Sequence, residues 1–186
     1  MPDYWTVDQL HALPDDGQRY EIIDGELHVT PAPSFPHQLV IGELVYVLKP
    51  WCDAQGYCLL FAPAAVTWSP RTEVQPDILV MPKVNGRPPG RFEDVGRLLL
   101  AIEVLAPSTK RWDRFTKRRE YQRRGVPEYW IVDIEARCVE RWPATAESPE
   151  VIRDIVSFRA DEASAGLDVR MQDVFRAALG DAPAED

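Results

Sequence analysis

The stretch Leu98-Leu99-Leu100-Ala101-Ile102-Glu103-Val104-Leu105 decides the architecture of this chain. It is the most apolar segment in the sequence, and its pattern is that of a strand buried on both faces, as in the middle of a sheet covered by helices. Pro107-Ser108-Thr109 ends it, and Ser108 or Thr109 can accept the orphan amides of a helix start. The helix then runs to Arg124, with bases in its last turn, Gly125 as a left-handed cap and Pro127 as a stop. Glu128-Tyr129-Trp130-Ile131-Val132-Asp133 follows as a second apolar strand. Strand, helix and strand in succession point to a sheet with a helix packed across it.

Working outward, Tyr20–Ile23 and Glu26–Val29 flank Asp24-Gly25, a pair that accepts the positive φ of a two-residue turn, so residues 19–30 read as an N-terminal β-hairpin. A proline-rich joint leads to a helix over 37–52, where Val40, Leu44, Leu48 and Trp51 recur at helical spacing. Short strands are expected at 57–61, 66–68, 77–80, 138–142 and 151–158, with a helix near 172–179. Residues 81–97, rich in Pro and Gly, read as a long loop. No repeat or linker divides the chain, so residues 1–180 are expected to form a single domain, with an acidic disordered tail at 181–186. The element order is that of an α/β or α+β domain with a mixed central sheet.

With 186 residues, 45% hydrophobic and 27% charged, the chain can bury a sizeable core, which excludes wholesale disorder. Its unbroken apolar runs, Leu98–Ile102 among them, fall far short of the roughly 20 residues that cross a membrane. No secretory signal is expected from the N-terminus Met-Pro-Asp-Tyr-Trp, and three cysteines without C-x-x-C spacing argue against disulfides and zinc. The expected location is the cytoplasm. A net charge of −9 disfavours tight non-specific nucleic-acid binding. Residues 110–124, however, carry eight bases against two acids, which reads most simply as a solvated helix face and alternatively, if exposed, as a local anion site.

Glu103 is the chemically informative residue. A carboxylate inside an apolar strand is costly unless it is paired or holds a metal. Asp77, between Pro76 and Ile78-Leu79-Val80, stands at the margin of another strand, where it is either a turn former or a partner to Glu103. Two such carboxylates on neighbouring strands make a hard-oxygen site for Mg²⁺ or Mn²⁺. Asp113, Lys117 and Tyr121 fall at i, i+4 and i+8 on the helix that follows Glu103. That side of the helix either lies over the carboxylates, with Lys117 as the cation, or carries a surface ion pair. Glu21 and Glu43 can each add a carboxylate, and each reads more simply as a surface acid. His28 and His37 are isolated from other histidines and carry a weaker signal. No phosphate-binding glycine loop, nucleophile elbow or dinucleotide fingerprint is present.

Tyr20–Leu27, Pro33-Ser34 with His37, Pro76-Asp77-Ile78, Ile102–Thr109, then Asp113, Lys117 and Tyr121, and finally Gly125–Asp133 together resemble the bacterial Uma-two family of the PD-(D/E)XK nuclease superfamily. The resemblance covers roughly residues 5–175. It implies the restriction-endonuclease-like α/β fold, a mixed sheet flanked by helices. Pro76-Asp77 matches the PD element and Glu103 the acidic element. The superfamily lysine would stand two residues later, where this chain has Leu105. The resemblance moves that role to Lys117 on the next helix, with Lys110 as second choice, and adds Glu21 and Tyr121 as supplementary residues. It implies a metal-dependent endonuclease, with Asp77 and Glu103 on Mg²⁺ (or Mn²⁺), acting on nucleic acid, DNA first, and working as a homodimer to cut two strands. Arg111, Arg114 and Arg118 would contact phosphates. Two alternatives stay open: an inactive binding or regulatory module on the same fold, and a hydrolase of small phosphodiester or nucleotide substrates.

Overall fold

The computed structural model describes residues 4–181, so Ala182–Asp186 of the expected acidic tail lie outside the described residues. A short helix α1 (Val7–His11), closed by a reciprocal cap between Thr6 and Gln9, precedes the expected hairpin of β1 (Arg19–Ile23) and β2 (Glu26–Thr30). Asp24 and Gly25 both take positive φ, 52° and 87°, as the tight turn requires.

Helix α2 (Phe35–Gln55) starts at Ser34, whose hydroxyl accepts from the His37 amide, and ends at Gly56 with φ 75°. Strands β3 (Tyr57–Phe61), β4 (Val66–Ser69), β5 (Thr72–Val74), β6 (Ile78–Pro82) and β7 (Leu100–Val104) follow. A π-helical stretch (Trp112–Lys117) runs into α3 (Arg118–Arg123) and returns the chain to β8 (Glu128–Asp133). Strands β9 (Cys138–Pro143), β10 (Glu150–Ile152), β11 (Ile155–Phe158) and β12 (Leu167–Arg170) lead to α4 (Met171–Leu179).

Six strands form a mixed sheet in the order β10-β9-β8-β7-β6-β3, parallel between β7 and β8 and antiparallel elsewhere. Four more form an antiparallel sheet, β2-β1-β5-β4, and β11 and β12 pair as a ribbon. Alternation along each central strand supplies two cores. Ile78, Val80, Leu100, Ile102, Val104 and Trp130 pack under α2 and α4. Leu79, Met81, Ala101, Tyr129 and Ile131 pack on the other face against Trp112, Tyr121 and the four-stranded sheet.

The expected central strand, crossover helix and hairpin are present, and the expected mixed α/β architecture with them. Three expectations are corrected. The 151–158 strand is two, because the chain turns at Arg153-Asp154 out of the large sheet and into the ribbon. The 81–97 loop is partly structured: Val84 and Arg87 form a bridge, and a turn at Phe92–Asp94 sets Phe92 edge-on to Trp68, 6.0 Å between ring centres, in the second core. The crossover helix carries a π-helical stretch, Trp112–Lys117, in place of α-helical turns, a feature found disproportionately at functional sites.

Cys52, Cys58 and Cys138 are free and buried, and burial pushes the Cys52 thiol up to about 12. Among the described residues no helix is long and apolar enough to cross a membrane.

Candidate active site

Pairing of β6 with β7 brings the two acids together. Ile78 stands opposite Ile102, Leu79 opposite Ala101 and Val80 opposite Leu100. Continued by one residue, that register sets Asp77 against Glu103, and opposed residues of an antiparallel pair share a face. Ile78 and Ile102 beside them belong to the core under α2, so Asp77 and Glu103 take the other face, toward the crossover helix. Both are 1% exposed. The Val104 amide, one residue past Glu103, donates to Asp77 Oδ2 at 2.8 Å and ties the two strand ends together.

The crossover helix lays Lys117 directly over this pair. Its Nζ lies 2.7 Å from Glu103 Oε1, 2.8 Å from Glu21 Oε1 and 3.9 Å from Asp113 Oδ1, with no solvent exposure at all. The Tyr121 hydroxyl donates to the same Glu103 oxygen at 3.0 Å. Asp113, Lys117 and Tyr121 thus share one buried side of the crossover, as their spacing predicts. Glu21 comes from β1, and its Oε1 also accepts from the Gln75 amide at 2.7 Å. The expected surface position of Glu21 is therefore corrected: it is 1% exposed and belongs to the cluster.

Two further members complete the cluster: Arg19, which the sequence reading did not single out, and His37, which carried only a weaker signal there. Arg19 Nη1 donates to Asp77 Oδ1 at 2.7 Å, and His37 Nε2 meets Asp77 Oδ2 at 3.1 Å. A signal existed for each. His37 precedes Val40, Leu44 and Leu48 on the stripe that α2 buries, and Arg19 shares a strand face with Glu21. Lys110 is not brought here; its amine pairs with Glu135 at the surface. Glu43 lies on α2, half-buried and outside the cluster's hydrogen bonds.

Of the bases expected on phosphates, Arg114 is paired with Asp133 and Glu140, at 2.9 and 2.6 Å. Arg118 bonds Gln122 and lies over the Trp142 ring. Arg111 is exposed. The basic run is therefore largely consumed by structural pairs rather than presented as a continuous cationic face.

The electrostatics follow from burial. Four carboxylates (Glu21, Asp77, Glu103, Asp113) face two permanent cations, Lys117 and Arg19. Burial works against the Lys117 charge, but the carboxylates of Glu103, Glu21 and Asp113 outweigh it and hold the amine above the ordinary lysine range. Burial also works against ionised Asp77, yet the His37 hydrogen bond and the Arg19 charge keep its carboxyl well below the usual range. Glu103 moves the other way: burial raises it well above normal, and Asp77, Asp113 and Glu21 add to what Lys117 offsets only in part.

Burial likewise pushes Asp113 up to about 6. An acid raised on folding favours the native state while protonated and loses that contribution as pH rises from about 4 through about 6. Asp113→Asn is therefore expected to raise the urea midpoint at pH 8 and to leave it nearly unchanged at pH 4. A gain equal at both pH values would contradict the ionisation argument.

A cleft of about 460 Å³ opens on Asp77, Arg19 and His37, with Ser34, Ser108 and Thr109 at its rim. A larger groove of about 940 Å³ begins on the far side of Ser108, which lines both.

Comparison with known proteins gives the family and the fold. A family model described as "Uma2: Putative restriction endonuclease" matches residues 7–164. The chain belongs to the Uma2 family. The fold agrees with the crystal structure of "a putative nuclease belonging to DUF820 from Anabaena variabilis ATCC 29413". The TM-score is 0.76 at 21% identity, over 94% of this chain and 99% of that one. No curated protein matches the chain. In this Uma2 member Leu105 stands two residues after Glu103, and the amine that reaches Glu103, at 2.7 Å, is that of Lys117 on the crossover helix.

Proposed function

We propose that this chain is a metal-dependent nuclease that hydrolyses phosphodiester bonds of nucleic acid, DNA in the first instance. The observation that carries the reading is the Lys117 amine, wholly buried 2.7 Å from Glu103 on the sheet face that Asp77 shares. A buried lysine bracketed by strand-end carboxylates is expensive as mere structure and well suited to charge stabilisation during phosphoryl chemistry.

The donor set suits a hard divalent cation. Glu21 Oε2 and Asp113 Oδ1 are buried without a hydrogen-bond partner, and both donors to Glu103 fall on Oε1. Acids outnumber cations in the cluster by two. Among the described residues no group of three or more His, Cys, Asp or Glu side chains is placed to hold a metal ion by itself. Mg²⁺ needs no such group, since it is bound by one or two carboxylates together with waters and substrate phosphate oxygens. Asp77 and Glu103 would hold it. When bound, it would neutralise the scissile phosphate and lower the pKa of a water.

The chain's own residues prepare the rest. Tyr121 and Lys117 fix the Glu103 carboxylate, while His37 and the Val104 amide fix Asp77. Its surrounding carboxylates favour the charged Lys117, which would offset negative charge developing on the phosphate or orient the attacking water. Arg19, at the cleft, places a second positive charge beside Asp77.

Purified chain is expected to nick supercoiled plasmid with Mg²⁺ or Mn²⁺ and to stop when EDTA is added. One observation favours a binding module instead: both Asp77 oxygens already have protein partners. Absence of cleavage across a titration of both ions would decide for that module.

A further inference from the structure

We infer that the groove beyond Ser108 is a binding site for the unpaired nucleotides of a single nucleic-acid strand, with Arg111 and Arg119 on phosphates and Phe115 stacked on a base. The inference deepens the nuclease reading and rests on it for the course of the strand.

Arg111, Phe115 and Arg119 recur every four residues along the crossover and line one groove. All three are exposed, Phe115 by 52% of its surface. Lys110 and Arg114 line the same groove but are spent on Glu135, Asp133 and Glu140. Among the described residues neither the Arg111 nor the Arg119 guanidinium has an ion pair or a hydrogen bond. An acidic protein that leaves two arginines unpartnered on either side of an exposed aromatic ring offers what a strand presents: phosphates separated by bases.

The groove wall is a rigid pair of stacked rings. His28 and Trp112 stack with ring centres 4.4 Å apart and planes within 8°. Trp112 is 8% exposed, and neither its Nε1 nor His28 Nε2 finds a partner within the protein. Glu21 stands opposite His28 in the hairpin, so this wall is also the outer wall of the buried ion cluster.

Continuity gives the direction. Ser108 lines both the Asp77 cleft and this groove, so a strand cleaved at Asp77 runs over Ser108 and onto the arginines. A base stacked on Phe115 must be free of its own neighbours, which a continuous duplex does not allow. The occupant is therefore a single strand or a single-stranded overhang.

The test measures binding in EDTA, where no cleavage occurs, by anisotropy of a labelled 12-residue oligothymidylate against a blunt 12-base-pair duplex and an abasic 12-mer. The oligothymidylate is expected to bind most tightly. Phe115→Ala should weaken it by about 5-fold to 100-fold, leave the abasic oligomer unaffected, and be rescued by Phe115→Trp. Arg111→Ala with Arg119→Ala should weaken all three ligands and flatten the log–log salt dependence by about 1.4 for single strands. Tighter binding of the duplex, or oligothymidylate binding unchanged in both sets of variants, would overturn the assignment. Cleavage is scored separately on plasmid. The expected binding losses without metal-dependent cleavage would sustain the groove and remove the nuclease reading; cleavage with unchanged binding would do the reverse.

Discussion

Replacing Lys117 with methionine is expected to remove more than the activity. Methionine fills much of the lysine stem's volume but leaves Glu103 and Glu21, each 1% exposed, without the amine that lies 2.7 and 2.8 Å from them. Breaking a buried charge pair by deleting one partner costs about 3–5 kcal/mol, because the remaining charge is stranded. Loss of a preorganised charge-stabilising group costs on the order of 100-fold to 1000-fold in rate. Plasmid nicking should therefore fall at least about 100-fold, and the urea midpoint should drop with it. The loss of stability should deepen as pH rises, since the folded state must then hold ionised carboxylates with no cation between them. Adding Glu103→Gln to Lys117→Met is the discriminating control. It should restore part of the midpoint and none of the cleavage, because one stranded charge is gone while the site stays dismantled. A single variant as stable as the parent would mean that the amine is not the counter-charge of this cluster.

Asp77→Asn separates chemistry from scaffold. The asparagine oxygen can still accept from the Val104 amide, so the join between the two central strands persists. What disappears is the negative charge that Arg19 and His37 address. Changing groups that merely orient metal ligands costs about 10-fold to 100-fold; loss of a carboxylate proposed to hold the ion should exceed that. Cleavage should vanish over a full Mg²⁺ titration while near-ultraviolet circular dichroism is retained. The acid limb supplies a second readout. The Asp77 carboxyl is held well below the usual range, against its burial, by His37 and Arg19. It therefore contributes stability fully above an unfolded pKa of about 3.9 and loses it as pH falls toward the folded value. In Asp77→Asn that part of the decline is absent, so the stability curve below pH 4 should be flatter than the parent's. Undiminished cleavage would remove Asp77 from the site.

Much of the fold was legible because its determinants are local. Asp24-Gly25 prescribes the hairpin turn, the Val40, Leu44, Leu48 and Trp51 stripe marks α2, and the apolar run around Ile102 reads as a covered strand. The missed pieces are those whose conformation is borrowed from neighbours. β5 is three residues held between β1 and β4, and β12 exists as the partner of β11. The break falls at Arg153-Asp154, a polar pair between Val151-Ile152 and Ile155-Val156 with no Gly or Pro to mark a turn. In the same way, the expected cationic face of 110–124 dissolved once Glu120, Asp133 and Glu140 took their arginines.

The sequence by itself determined that Asp77 and Glu103 stand at the margins of buried strands and that Asp113, Lys117 and Tyr121 share one side of the crossover. Only the tertiary structure decided that these meet, and that Arg19, Glu21 and His37 join them. The reason lies in the range of the interactions. Periodicity and capping act over a few residues, whereas pairing β6 with β7 and laying a helix across them joins side chains up to about a hundred positions apart, and a buried charge acquires its partner only there.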